Sequence, residues 1–478
     1  MDMKQPNILL ITTDQQRFDT IAALGGTHLY TPHLDWLVDE GIAFTRAYSD
    51  CPICMPARAT IMTGLHAHSH GLTGNNDSVL PLKCHPTLPG LLTAAGYQTR
   101  AQGKMHFEPM RANYGFEHME LPMDYYRERR RLGGAQPKQH GVGENEITPV
   151  ISTVHETESL THWTVQRSID FIETRDETRP FFLWTSFTKP HPPFDPCANY
   201  WALYANKNVP LPVHGDWSQS AADVPQGFMR PTYMLNNAWR ADESQLLDAK
   251  RAYCACITQI DFQLGLLFAR MRELDLLENT WIIFTSDHGD MQGDHCMGAK
   301  TVFFEGSAHI PLIIRPPAGS FERTPLAGRR VDDPVNLTDI MPTLLALAGI
   351  ESPEPVDGIS LLDVIDGTVE KRELIGESEN FWMVLSGQYK YTWAGDGGGE
   401  LMFDLSTDPC EKHDLVRAGS HGELLDQMRA KLAAHLEKRN SDYVENGHLK
   451  PGPAIAGPDA VAKWPGFHST VCPSDVLH

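Results

Sequence analysis

The stretch that runs from residue 51 to residue 64 is Cys51-Pro-Ile-Cys54-Met-Pro-Ala-Arg58-Ala-Thr-Ile-Met-Thr-Gly64. It predicts a short helix with Pro56 in its first turn and Gly64 as its stop. Cys54 then lies just ahead of the helix N-terminus, where unpaired N–H groups and the helix dipole favour an anion. Arg58 follows one turn later, so its guanidinium can reach the same spot. The stretch predicts a nucleophile in an anion-binding site. A buried structural cysteine in a proline-rich loop is the alternative.

Composition restricts the class of protein and its partners. Of the 478 residues, 41% are hydrophobic and 21% are charged, which is enough for a large core and a smaller second domain. The net charge of −21 argues against nucleic acid and anionic membrane surfaces as partners. An anionic substrate would therefore need a local concentration of positive charge. No apolar run approaches the roughly 20 residues of a membrane span, so no membrane partner is expected.

Cysteine usage and the N-terminus bear on the compartment. The first residues lead directly into a strand-like run, without the apolar segment of a signal peptide. The nine cysteines are an odd number and are scattered, unlike a disulfide framework. We therefore expect a cytoplasmic protein.

Two apolar runs of strand length each end in candidate metal ligands. The run Asn7-Ile-Leu-Leu-Ile-Thr-Thr13 is followed by Asp14-Gln15, and the run Trp281–Ser286 is followed by Asp287-His288. Open α/β sheets place their ligands at the carboxyl ends of such strands. The oxygen donors suit a hard divalent cation such as Ca²⁺, and the histidine nitrogen makes Mn²⁺ the alternative.

Further basic residues suit anion binding and proton transfer. Lys104 and His106 follow another predicted strand and, in an extended segment, project to one face. His191 lies between prolines that stiffen its backbone. For other basic positions we expect structural, supporting or solvated roles: His66, His68, His70 and the run Arg127–Arg131.

Several of these motifs resemble those of one enzyme family. The spacing of Cys54, Pro56 and Arg58 matches the sulfatase signature, and Gly96-Tyr-x-Thr99 followed by Gly103-Lys-x-His106 resembles its second signature. The resemblance runs from about residue 5 to about residue 440. The chain is identified as a member of the formylglycine-dependent sulfatases, within the alkaline-phosphatase-like superfamily. Asp14-Gln15 with Asp287-His288 resembles the pairs of choline sulfatases and phosphonate monoester hydrolases.

The resemblance implies a cofactor set and a mechanism. Cys54 would be converted to formylglycine (3-oxoalanine) by a formylglycine-generating or anaerobic maturation enzyme. The hydrated aldehyde would attack sulfur beside one divalent metal, held by Asp14, Gln15, position 54, Asp287 and His288. The catalytic residues would be Cys54, Arg58, Lys104, His106, His191 and Lys300. Of these, Arg58 would steady the nucleophile, and Lys104 and Lys300 would hold the sulfate oxygens. His191, with Lys300, would protonate the leaving alcohol, and His106 would deprotonate the second hydroxyl of the hydrate.

The resemblance also implies the architecture. It predicts an α/β fold with a central mixed, mostly parallel sheet between helices, and a smaller C-terminal subdomain of antiparallel sheet plus helix. The expected boundaries are a catalytic domain at 1–370, the subdomain at 371–440 and a tail at 441–478. The tail is a candidate contact between subunits of a homo-oligomer, although a disordered end is the default.

The main functional hypothesis is a sulfatase that hydrolyses a sulfate monoester of an alcohol, sugar, choline-like or aryl compound. A phosphonate monoester or phosphodiester hydrolase is the alternative, although such enzymes generally lack the pair that Lys104 and His106 supply. A non-enzymatic binding protein with unmodified Cys54 is a third hypothesis. The substrate alcohol would be selected by the irregular segments 107–158 and 195–240.

Overall fold

The structure is a computed structural model, and it describes residues 5–75, 80–143, 145–220, 222–228, 241–317, 326–370 and 372–454. The strands in chain order are β1 (Asn7–Asp14), β2 (Ile42–Phe44), β3 (Ala47–Tyr48), β4 (Gln98–Gly103), β5 (His118–Glu120), β6 (Phe181–Pro190), β7 (Thr280–Ser286), β8 (Leu312–Arg315), β9 (Arg329–Val331), β10 (Val335–Asn336), β11 (Leu374–Ser378), β12 (Phe381–Ser386), β13 (Tyr389–Ala394), β14 (Glu400–Asp404), β15 (Val444–Glu445) and β16 (His448–Leu449).

Helices surround these strands. The α-helices are α1 (Pro32–Glu40), α2 (Cys54–Thr63), α3 (Ala67–His70), α4 (Leu88–Ala94), α5 (Pro122–Leu132), α6 (Leu160–Thr174), α7 (Ala198–Tyr204), α8 (Glu243–Glu273), α9 (Glu305–Ala308), α10 (Ile340–Leu347), α11 (Leu361–Ile365), α12 (Leu415–Ala418) and α13 (Gly422–Lys438). Short 3₁₀ turns lie at Phe18–Thr20, Ala22–Leu24, Leu80–Cys84, Glu156–Glu158, Leu276–Asn279, Asp294–Cys296 and Leu337–Asp339.

A mixed sheet of eight described strands forms the centre, in the order β5-β4-β6-β1-β7-β8-β2-β9. The first five strands in this order, from β5 to β7, are parallel to one another, and β8 runs antiparallel to both β7 and β2. This confirms the predicted fold class.

Strand β1 is buried on both faces, which explains its continuous apolar sequence. Ile8 and Leu10 pack in a core shared with α2 and α10, and Leu9 and Ile11 pack in a second core shared with α1 and α8. The alternation follows from the two-residue repeat of a strand. Two helical layers therefore cover the sheet and hold β1 in its middle.

The sheet register brings the predicted strand-end residues to one edge. Asp14 lies opposite Pro190 of β6, so His191 follows directly beside it. Thr13 lies opposite Ser286 of β7, so Asp287 comes next to Asp14. Because these three strands are parallel, their carboxyl ends share one edge, where α/β sheets bind ligands.

A four-stranded antiparallel sheet, β11 to β14, carries α13 on one face. Trp382, Trp393, Met428 and Leu432 form the core between them. This matches the predicted kind of subdomain, while the boundaries at 370 and 440 stay a prediction. The proposed tail at 441–478 is described only to residue 454, and there Tyr443 packs against Trp382.

The segment 107–158 is more regular than its sequence indicated, because it contains β5 and α5. The arginine run lies in the second half of α5, where Arg129 is buried and pairs with Glu158 at 2.9 Å. Part of the segment 195–240, residues 221 and 229–240, lies outside the described residues.

Helix α8 is, among the described helices, the one long and apolar enough to cross a membrane by length and composition. Of its most apolar 18-residue window, 78% is buried inside the protein.

Candidate active site and metal centre

Helix α2 begins at Cys54 itself, slightly earlier than predicted. Ile53 is the extended residue before the helix, and Gly64 ends it with a left-handed φ of 67°. The Met55 N–H donates to Asn75 Oδ1 at 3.0 Å, which satisfies one of the free donors of the first turn. Cys54 therefore lies in the first turn of a buried helix, at the positive end of the helix dipole.

Three predicted ligands converge around the fourth, Cys54. Its Sγ lies 3.6 Å from Asp14 Oδ1 and 3.2 Å from His288 Nε2. Asp287 completes the group, and one ligand atom from each of the four residues lies within 4.8 Å of all the others. All four residues are at most 1% exposed. Strands β1 and β7 and helix α2 thus bring together residues that are up to 274 positions apart in the chain.

The donor set fits a divalent cation. The Gly289 carbonyl lies 2.9 Å from His288 Nδ1 and can only accept, so Nδ1 carries the proton and Nε2 keeps its lone pair for a metal. Asp14 Oδ2 is buried and faces the ammonium group of Lys104 and the guanidinium group of Arg58. Carboxylate oxygens, an imidazole nitrogen and position 54 therefore face one point.

Arg58 is fully buried and holds the site together. Its Nε donates to Asp287 Oδ2 at 2.9 Å, and its Nη1 donates to Ser186 Oγ at 2.7 Å. The same Nη1 donates to the Lys104 carbonyl at 2.6 Å, and Nη2 lies 3.6 Å from Asp14 Oδ2. The planar guanidinium group carries several N–H donors in a fixed arrangement, so this single side chain can contact all four partners.

Two lysines supply the local positive charge that an anionic substrate would need. Lys104 pairs with Asp14, and Lys300 Nζ lies 3.5 Å from Cys54 Sγ. Lys300 also donates to Gln15 Oε1 at 2.6 Å, and Gln15 Nε2 donates to Asp290 at 2.5 Å. The amide oxygen predicted as a metal ligand is therefore bound by Lys300 here, and Gln15 as a ligand stays a prediction.

These charges determine the protonation of the site. Burial alone would raise the pKa of Asp14, but Lys104, His191, Arg58 and Lys300 together hold it well below its usual value. Burial and Asp14 would likewise raise the pKa of Cys54, and Lys300, Lys104 and His288 outweigh them and lower it strongly. An anionic group at position 54 is thus favoured.

The two predicted proton-transfer histidines differ in their settings. Burial lowers the pKa of His191 to about 3. The positive charge of Lys300 adds to this effect, and the negative charge of Asp14 opposes it. His106 is half-buried, and its buried Nδ1 has no hydrogen-bond partner. Its φ of 59° is left-handed, so the prediction of an extended Lys104–His106 segment is wrong. The backbone changes direction at the end of β4, where Gly103 also has a positive φ of 97°.

The histidines after α2 lie apart from this site. His66 Nδ1 contacts Asp50 at 2.9 Å, and its ring stacks on His68. His68 lies beside His435 and Glu377 of the C-terminal subdomain, where Arg439 already supplies a cation to Glu377.

Sequence reasoning missed three supporting residues. Ser186 lies within β6 and accepts a hydrogen bond from Arg58, Asp290 holds the Gln15 amide, and Asn75 caps α2. Asp290 follows β7 and could have been found by the same strand-end signal as Asp287, whereas Ser186 lies inside a strand and carries no such signal. Asn75 lies in an irregular loop and carries no such signal.

Comparison with known proteins identifies the family. The family model described as Sulfatase matches residues 6–350. The chain belongs to the sulfatase family. A second model, N-sulphoglucosamine sulphohydrolase, C-terminal, matches residues 293–438.

Individual sulfatases and related structures are similar over most of their lengths. An arylsulfatase of Clostridium perfringens is 33% identical over 94% of this chain and 98% of that protein. A choline-sulfatase of Rhizobium meliloti is 30% identical over 92% of this chain and 89% of that protein. The crystal structure of the phosphonate monoester hydrolase of Agrobacterium radiobacter has a TM-score of 0.77 and 25% identity, over 94% of this chain and all of that one. The predicted family and its classification as a sulfuric ester hydrolase are confirmed.

Proposed function

We propose that this sulfatase hydrolyses a sulfate monoester of a small molecule or saccharide through a formylglycine at position 54. The observation that carries the proposal is the environment of Cys54, which touches Asp14, His288 and Lys300 in a buried site. A sulfate ester is an anion, and a protein with a net charge of −21 repels it as a whole. Binding the ester beside the nucleophile therefore needs positive charge concentrated at the site.

We further propose one divalent metal held by Asp14, position 54, Asp287 and His288, with Gln15 as a fifth ligand. Ca²⁺ is favoured by the carboxylates, and Mn²⁺ is the alternative because of His288. When bound, the metal supplies a Lewis acid that lowers the pKa of the hydroxyl at position 54. Maturation requires a formylglycine-generating or anaerobic maturation enzyme as a partner.

The chain's own residues supply the remaining chemistry. Arg58 orients position 54 and Asp287, and Lys104 and Lys300 bind the sulfate oxygens, where charge stabilisation is usually the largest catalytic contribution. His191 gives a proton to the oxygen of the leaving alcohol as the S–O bond breaks. His106, with a free buried Nδ1, accepts a proton from the second hydroxyl at position 54. His191 is neutral in the free protein, and the negative charge of the ester favours its protonation.

The relatives support aryl, choline-like and saccharide sulfates as substrate classes without selecting one of them. Hydrolysis of a phosphonate monoester is the second candidate. It is supported by the likeness to the Agrobacterium radiobacter hydrolase and by the pairing of Asp14-Gln15 with Asp287-His288.

The test begins with the modification. Protein co-expressed with a formylglycine-generating enzyme is digested with trypsin, and the peptide 47–58 is weighed by mass spectrometry. We expect the mass change of thiol-to-aldehyde conversion, and none in a Cys54→Ala control. The modified protein is then assayed on aryl, sugar and choline sulfates and on a phenyl phosphonate monoester.

Release of sulfate with a clear preference over the phosphonate supports the proposal. A preference of several orders of magnitude for the phosphonate would favour the second candidate. An intact thiol despite an active maturation enzyme would remove the first step of the mechanism.

A further inference from the structure

The loop that carries His191 is held by a lysine that the proposed mechanism does not use. Lys189 Nζ donates to the carbonyl oxygens of His191 at 3.4 Å and Pro193 at 2.5 Å. It also forms an ion pair with Asp195, and the two side chains are only 19% and 9% exposed. One ammonium group therefore ties the residues before and after His191 to each other.

Asp195 connects this loop to the segment 107–158. Its Oδ1 faces Lys189, while its Oδ2 lies 3.4 Å from Nε2 of His140, whose side chain is 7% exposed. Burial would raise the pKa of Asp195, but Lys189 and His140 lower it, so the carboxylate is ionised between two donors. Both of its oxygens are thus engaged from opposite sides.

The backbone strengthens the same connection. The Val150 N–H donates to the Phe194 carbonyl at 3.1 Å, and the Ser152 N–H donates to the Pro196 carbonyl at 3.0 Å. The His191 loop and the residues around 150 therefore form one hydrogen-bonded unit. The residues around 150 belong to the segment 107–158, one of the two segments that we expect to select the substrate alcohol.

The loop also determines which way the imidazole of His191 points. Its Nδ1 lies 2.7 Å from the Pro192 carbonyl, which can only accept, so Nδ1 carries a proton and Nε2 is left for the substrate. The Pro192 carbonyl lies between the two carbonyls that Lys189 binds. Loss of Lys189 would free the peptide groups that orient the ring.

We propose that Lys189 and Asp195, completed by His140, are positioning residues that hold His191 against the oxygen of the leaving alcohol. The inference rests on the proposed function, because it needs His191 as the proton donor. It assigns to the segment 107–158 a role in placing that donor as well as in contacting the substrate.

The consequence depends on the leaving group. A poor leaving group needs the proton in the transition state, whereas a nitrophenolate leaves almost without it. Misplacing His191 should therefore slow the cleavage of phenyl sulfate much more than that of 4-nitrophenyl sulfate. A residue with a purely structural role would slow both alike when it is removed.

The experiment measures kcat/KM for both esters in matured wild type and in Lys189→Met. We expect a loss of about 10- to 100-fold for phenyl sulfate and less than about threefold for 4-nitrophenyl sulfate. Lys189→Arg should recover part of the loss, since it keeps the charge. The double variant Lys189→Met/Asp195→Asn leaves no unpaired buried carboxylate and keeps the test valid if the single variant folds poorly.

Two controls sharpen the result. Lys431→Met removes the ion pair with Glu373 on the C-terminal subdomain and should leave the ratio of the two rates unchanged. In a His191→Asn background, Lys189→Met should cause little further loss, because both changes remove the same function.

Equal losses for the two esters, or full additivity with His191→Asn, would overturn the inference while leaving the proposed function intact. Failure of matured wild type to release sulfate from either ester would overturn the proposed function and this inference with it.

Discussion

At the residue scale, Arg58 shows how one buried cation serves both stability and catalysis. It lies one turn into α2, yet it pairs with Asp287, which follows β7, and with Asp14 at the end of β1. Both carboxylates are completely buried. Without Arg58 they would lose a hydrogen-bonded partner in a medium that solvates charge poorly.

We expect Arg58→Met to lower kcat/KM for sulfate release by at least about 100-fold and the free energy of unfolding by about 3–5 kcal/mol. Arg58→Lys should fall between, because an ammonium cannot reach the same set of partners. Steady-state kinetics and urea unfolding measure the two effects. Arg270→Met, which removes an exposed ion pair with Glu173, is the control. Wild-type activity in Arg58→Met would contradict the assignment.

His295 offers a residue-level test of pH dependence. It is 2% exposed, its ring stacks on Trp217 with centroids 4.5 Å apart, and its Nδ1 contacts Ser218 Oγ at 2.9 Å. Burial lowers its pKa to about 4, opposed by Asp294 and assisted by His214. The unfolded chain therefore binds more protons at this residue than the folded protein between pH 4 and its ordinary pKa of about 6.5.

It follows that the stability contributed by neutral His295 is present above about pH 6.5 and is lost as the pH falls toward 4. We expect wild type to lose up to about 3 kcal/mol over this window relative to His295→Asn. Asn tolerates the left-handed φ of 53° at this position. Urea unfolding at several pH values measures the difference. Exposed His448→Asn should show no such trend, and parallel curves for wild type and His295→Asn would refute the prediction.

At the element scale, the junction between α9 and the C-terminal sheet depends on Lys390 of β13. Its buried Nζ lies 2.6 Å from Glu305 Oε1 of α9 and 2.5 Å from Glu411 Oε1. Glu411 Oε2 also accepts the Glu305 N–H at 2.7 Å, which ties the two elements directly. Burial raises the pKa of Glu411 to about 7, partly offset by Lys390, while Lys390 and His309 lower that of Glu305 against the effect of burial.

We expect Lys390→Met to destabilise the protein by about 3–5 kcal/mol, because it leaves the buried carboxyl group of Glu411 and the half-buried one of Glu305 without the cation that pairs with both. Adding Glu305→Gln and Glu411→Gln should recover much of this loss. Scanning calorimetry measures both, with exposed Lys431→Met as the matched control. A change below about 1 kcal/mol for Lys390→Met would show that the cluster does not hold the junction.

At the scale of the whole molecule, the proposed metal centre joins the carboxyl ends of β1 and β7 to the start of α2. A cation bound there interacts with the folded protein and not with the unfolded chain, whose ligands are far apart. Removing it should therefore affect stability together with activity.

We expect chelation with EDTA to abolish sulfate release and lower the melting temperature, and Ca²⁺ to restore both. At a hundredfold excess over its Kd the ion should add about 2.7 kcal/mol. Differential scanning fluorimetry with and without Ca²⁺ provides the measurement. Asp287→Asn should lose the response, and identical melting curves for wild type in EDTA and in Ca²⁺ would contradict the proposed centre.

Much of the architecture could be read from local sequence. Strand β1 was recognisable because a strand buried on both faces is apolar throughout, and Asp14 and Asp287 were recognisable because they follow such strands. The signature around Cys54 and Arg58 led to the family. These signals lie within short segments of the sequence, so they can be recognised without knowledge of the fold.

The chain by itself therefore determined the fold class, the family and most residues of the candidate site. Only the tertiary structure decided that Gln15 meets Lys300, that Ser186 receives Arg58, and that His140 reaches the loop of His191 through Asp195. The physical reason is that sheet order and register set these contacts between residues far apart in sequence. No periodicity or spacing along the chain encodes such contacts.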